Sequence, residues 1–174
     1  MSRIHYFFIS VLAAATVFAA DAPKANLHLT MLTKVNPNGL ALWDITNAAI
    51  GDDGEIDAKL LKENDWSKLL AIGRALEEGG KTLANSNGII AALPGAKLQD
   101  EANEGAATAA DVQRYVNAKP SEFRKQALQL QETGLSIAQA ASKRDAKQLS
   151  AVSSALDGVC EGCHTVFWYP QQKK

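Results

Sequence analysis

Five consecutive residues near the C-terminus, Cys160-Glu161-Gly162-Cys163-His164, bring two thiols and an imidazole into little more than one helical turn. Thiols three positions apart lie on nearly the same face of a helix, so both can form thioethers with the two vinyl groups of one haem. The imidazole next along can then turn onto the iron as the proximal ligand. The C-x-x-C-H run therefore reads as a covalent haem attachment site, with Cys160 and Cys163 as anchors and His164 as metal ligand. Three other readings compete with it. A thioredoxin-type redox pair belongs at the start of a helix that follows a strand, and the residues upstream here carry a helical pattern. A zinc shell of four ligands would need two more well-placed residues. A disulfide inside one helical turn would staple almost nothing, and the chain has no other cysteine.

The N-terminus supplies a matching compartment. Arg3 and His5 precede an apolar run from Tyr6 to Phe18 that ends in the small residues Ala19 and Ala20. That is the pattern of a secretory signal peptide, residues 1–20, with cleavage after Ala19, Ala20 or Ala22 and Pro23 disfavouring the last. The rival reading is an uncleaved anchor, but the run falls short of the ~20 apolar residues of a membrane span. Residues 21–174 fit one domain with no further span. Nearly half of the whole chain is apolar and only 6% aromatic, while Ala, Leu, Lys, Glu and Gln fill the periodic segments, which favours packed helices. The formal charge is −1, or −2 once Arg3 is removed, so nothing points to nucleic acid, and Lys173-Lys174 reads as a solvated tail.

The elements that must position the motif follow from hydrophobic spacing. Leu27, Met31, Val35, Leu42, Ile45 and Ala49 keep one face of a first helix starting near Lys24, with a kink or break expected at Asn36-Pro37-Asn38-Gly39. Gly51 to Asp57 is an acidic connector with the flavour of a calcium loop. Aligning Gly54 with that loop's invariant glycine puts Ala49, Gly51 and Leu60 where oxygen ligands belong, which rejects the comparison. With Asn64 or Asp65 as cap, Trp66, Leu69, Leu70, Gly73, Leu76, Gly80 and Leu83 make a second long helix, expected to run into the Ala84 to Leu93 region before Pro94-Gly95. Gly73 and Gly80 on its buried stripe either admit another helix or a flat cofactor, or are merely tolerated. Lys97 to Ala110 reads as a surface connection, and Val112, Tyr115 and Val116 add a short helix. After Pro120, Phe123, Ala127, Leu130, Gly134, Ile137 and Ala141 form the seam of a third long helix. A turn at Lys143-Arg144-Asp145, with Asp145 as cap, leads into the last helix, whose inner stripe is Leu149, Val152, Leu156, Val159, Cys163 and Phe167. So short a connection makes the last two helices antiparallel neighbours.

Four helices of this length with C-x-x-C-H on the last, ten residues from the end, resemble the class II c-type cytochromes, the group of cytochrome c prime and cytochrome c-556. The resemblance covers essentially residues 21–174. Within the group the chain looks most like a branch of exported cytochromes with Met, Pro and Trp evenly spaced on the first helix, matched here by Met31, Pro37 and Trp43. It implies an all-α, antiparallel four-helix bundle holding one covalent haem c on its C-terminal helix, and attachment completed in the periplasm. Cys160 and Cys163 match the thioether cysteines and His164 the proximal ligand. Met31 falls where the c-556 type supplies a sixth ligand to the iron; otherwise it fills core space. His28, one turn earlier, is the second candidate. Cytochrome c prime usually has a basic residue four places after the proximal histidine, where this chain has Trp168, so the resemblance speaks less for gas binding. Phe167, Trp168 and Tyr169 either wall the haem or close the bundle end. The expected function is a periplasmic carrier of single electrons between redox partner proteins, not an enzyme. The alternatives are a five-coordinate haem protein that binds NO or CO and a haem subunit that docks on a dehydrogenase or oxidase. Relatives often dimerise through their first helices, so a homodimer is compatible with the resemblance.

Overall fold

A computed structural model of the chain describes residues 23–99, 101–104 and 106–170. The segment read as a signal peptide, its cleavage site at Ala19 to Ala22 and the Lys173-Lys174 tail lie outside the described residues. Most of the described chain is helical: α1 (Leu27–Thr30), α2 (Asn36–Asn47), α3 (Glu63–Ala84), α4 (Ala109–Ala118), α5 (Pro120–Lys143) and α6 (Ala146–Phe167). A π-helical turn, Met31–Val35, joins α1 to α2, and a short parallel pairing sets β1 (Ala25–Asn26) beside β2 (Ile89–Ile90). None of the described helices is long and apolar enough to cross a membrane.

The helix ends follow local chemistry. Asn26 caps α1 by accepting the Leu29 amide at 2.9 Å. Asp145 caps α6 as expected, accepting the Gln148 amide at 2.9 Å, after Arg144 has turned the chain with a left-handed φ of 53°. The start of α3 differs from the reading of Asn64 or Asp65 as cap: Lys62 holds the cap position, and Asp65 instead accepts the Lys62 amide at 3.0 Å from inside the first turn. At the acidic connector, Gly54 takes a φ of 81°, which a side chain would disfavour, and the Gly51 amide closes the turn on the Glu55 carbonyl at 2.8 Å.

Packing is densest between α3 and α5. A Cβ on Gly73 would overlap the backbone of Ala138 and Gly134, one on Gly80 the backbone of Gln131 and Ala127, and one on Gly134 the amide of Glu77. The pairs run in opposite directions along the two helices, so α3 and α5 are antiparallel and touch backbone to backbone. The stripe glycines therefore admit a helix, not a flat cofactor. Around this contact, Leu42, Leu69, Leu76, Ile137, Leu149 and Leu156 are fully buried, each worth about 1.5–3 kcal/mol of transfer free energy. A second cluster gathers Leu83, Val112, Val116, Phe123 and Phe167, with the Phe123 and Phe167 rings edge to face at 5.4 Å.

Two further expectations are corrected. The helix expected to run on toward Leu93 stops at Ala84, and Ile89–Ile90 pair with β1 instead. The first helical stretch begins at Leu27, not Lys24, and its irregularity is the widened turn just upstream of Pro37, not a break at it.

Candidate cofactor site

Between the first helical stretch and α6 lies a cleft of ≈ 240 Å³. From one wall Leu27, His28, Met31, Val35, Gly39 and Trp43 face it, and from the other Leu156, Cys160, Cys163, His164, Phe167 and Trp168. Two stretches far apart in the sequence, 27–43 and 156–168, thus meet over one apolar space. All the residues singled out as anchors or ligands, Cys160, Cys163, His164, Met31 and the second candidate His28, line it. Met31 also borders a smaller recess of ≈ 40 Å³ with Cys160, Cys163 and His164, to which α5 contributes Gln126.

The motif sits in the last third of α6, where no helix N-terminus acts on the thiols. Both cysteines are free and half-buried. Burial pushes the Cys163 thiol up to about 12, with Cys160 adding to the rise, and burial followed by the Asp157 charge raises Cys160 as well. A redox-active thiol is instead held low by nearby positive charge. Such neutral thiols do not suit thioredoxin chemistry, and their half-exposed position on an apolar wall fits covalent attachment of a flat apolar group. For His164, burial lowers the pKa while the Glu161 charge opposes the fall, so the imidazole is kept in the neutral form that binds metal. Among the described residues no group of three or more His, Cys, Asp and Glu side chains comes together as a metal shell.

The aromatic run after the motif orients the imidazole. Trp168 meets it edge to face at 4.8 Å and 85°, and Tyr169 lies 5.9 Å away. The Tyr169 hydroxyl donates to the Glu161 carboxylate at 2.6 Å. Burial and that carboxylate push the tyrosine up to about 12. Phe167 and Trp168 line the cleft, and Phe167 also packs into the second cluster against Phe123.

One part of the site escaped the sequence reading. The strap after α3 brings Ala91, Leu98 and Gln99 to the cleft. It is fastened by Gln113 on α4, whose Oε1 accepts the Ala91 amide at 2.9 Å and whose Nε2 donates to the Ile89 carbonyl at 3.0 Å. The Ala91 carbonyl in turn accepts the His28 amide at 3.0 Å. A β-branched pair bracketed by Asn87-Gly88 and Pro94-Gly95 was the available signal for a short extended segment. Near the cleft mouth Leu32 is 50% exposed, and Leu29 and Leu40 are 53% exposed on the same helical stretch.

Comparison with protein-family models, with curated proteins and with solved structures finds no match for this chain.

Proposed function

We propose that the chain is an exported c-type cytochrome of the class II kind: an antiparallel four-helix bundle that holds one haem c and carries single electrons between periplasmic redox partners. The observation that carries the reading is the gathering of Cys160, Cys163, His164 and Met31, from helical stretches far apart in the sequence, on one apolar cleft. Cys160 and Cys163 would hold the group as thioethers, His164 would bind the iron, and Met31 would close the sixth position. Bound haem supplies a one-electron couple, and a His/Met pair leaves little to rearrange between its two oxidation states. The protein's part is placement and exclusion of water. Trp168 restricts rotation of the His164 ring, and Leu76, Leu156 and Phe167 keep the cleft apolar.

A second reading, a five-coordinate haem that binds NO or CO, is favoured by one observation: Met31 packs against both hydrophobic clusters and so has a structural use without a metal. An absorption spectrum of protein purified from cells that attach c-type haem, in both oxidation states and with carbon monoxide, separates the two. The carrier reading expects a low-spin spectrum with the weak far-red band of methionine on ferric iron, unresponsive to carbon monoxide and lost in Met31→Ala. A high-spin spectrum that shifts with carbon monoxide overturns it.

A further inference from the structure

The wall that carries Met31 contains an irregularity. Across Met31–Val35 the helix widens, and the Asn36 amide donates to the Met31 carbonyl, five residues back instead of four. Pro37 follows in the first turn of α2. It has no N–H to give the Thr33 carbonyl, and in a regular helix its ring would press on that same carbonyl. Widening the preceding turn moves the carbonyl away, and Leu32 and Thr33 are exposed there, so water can reach the backbone.

The consequence is one of register. Met31, Val35, Gly39 and Trp43 all line the cleft at intervals of four. In an unbroken α-helix, at about 100° per residue, Trp43 would stand about 120° around the axis from Met31. A turn that absorbs one extra residue leaves them about 20° apart. Both flanks are held. Upstream, β1 pairs with β2 and the His28 amide bonds Ala91; downstream, Leu42 and Thr46 are buried. The register between Met31 and Trp43 is therefore decided in the turn between these two anchored flanks.

We propose that Pro37 is a positioning residue: it imposes the widened turn at Met31–Val35, and that turn sets Met31 on the same cleft wall as Trp43. Its bearing on the iron rests on the reading of Met31 as sixth ligand.

The test uses the haem-loaded protein, Pro37→Ala, and Pro37→Ala with Thr33 deleted, each examined by crystal structure and absorption spectrum. Pro37→Ala is expected to move the Asn36 amide bond from the Met31 carbonyl to that of Leu32 and to lose the far-red methionine band. Deleting Thr33 removes the extra residue, so the double variant should regain the band on a regular helix. A Pro37→Ala structure that keeps the widened turn overturns the proposal. So does one that loses the turn yet keeps the band, or a double variant that fails to recover it. If the wild-type protein itself lacks the band, the ligand reading fails alone. The proposal is then decided by whether the turn and the shared wall of Met31 and Trp43 persist in the Pro37→Ala crystal structure.

Discussion

Where α3 meets α5, backbone lies on backbone, admitted by Gly73, Gly80 and Gly134; where α6 faces the first helical stretch, large side chains line a cleft of ≈ 240 Å³. Leu76 and Leu156 are fully buried in the core and also border the cleft. The contrast shows how a small protein can hold an apolar opening. One helix pair is fixed at the shortest approach the chain allows, and the remaining helices can then be kept apart by residues such as Met31, Trp43 and Phe167. Rigidity and opening are thus assigned to different residue types.

Breaking the cleft side is expected to give the largest effect, because on the proposed function it is covalent. Cys163→Ala should abolish stable two-point attachment, leaving no normal haem-stained band on a denaturing gel and a poorly folded chain. A mutant that stains as the wild type does would remove the attachment reading altogether. Breaking the tight side is the next largest. In Gly134→Ala the new methyl meets the Glu77 and Leu76 backbone of α3, which cannot swing aside as a side chain can. The overpacking cost should be about 3 kcal/mol in urea unfolding, even after the gain in helix propensity. A melt equal to the wild type would show that the helices are free to separate there.

The reverse control sharpens the comparison. Gly158 is helical and exposed, with open space where a methyl group would stand. Gly158→Ala should therefore stabilise the protein by up to about 1 kcal/mol in the same measurement. The same substitution would then carry opposite signs on two helices, decided by what faces each glycine.

These glycines also mark how far the sequence could be read. The seam Phe123, Ala127, Leu130, Gly134, Ile137 and Ala141 is buried as its spacing required, and the Asp145 cap is in place, because both are set by residues a few positions apart. Leu149, Leu156 and Phe167 of the α6 stripe are buried while Val152, Val159 and Cys163 are half-buried. What occupies the gap beside Gly73 was undecided, because a gap looks the same from one helix whether a helix or a planar group fills it. The widened turn was hidden for another reason. Proline acts on the carbonyl four residues earlier, so the distortion appears at Met31–Val35 and not at the Asn36-Pro37-Asn38-Gly39 signal. The Gln113 clasp joins residues more than twenty positions apart through side-chain amide bonds, which no periodicity reports.

That clasp gives the smallest expected effect and places the softer region on the cleft side. Gln113 rides on α4, whose first turn is closed by Thr108 and Asp111: the Thr108 hydroxyl donates to the Asp111 carboxylate at 2.7 Å, and Arg114 pairs with the same group at 2.6 Å. The Thr108 bond first, and Arg114 after it, hold the Asp111 carboxyl down at about 2 against an ordinary 3.8. A lowered folded-state pKa means that the stabilisation is complete above pH 3.8 and is lost as pH falls toward 2. NMR titration should find Asp111 half-protonated near 2 in the wild type and nearer 3.8 in Thr108→Ala. Over that window the Ala91 amide, held only through Gln113, should lose protection against exchange, corrected for its intrinsic acid dependence. The Glu77 amide, packed under Gly134, should not. Equal loss at both amides would mean that the strap and the helix pair open as one unit, and that the division between a rigid pair and a yielding cleft wall does not hold.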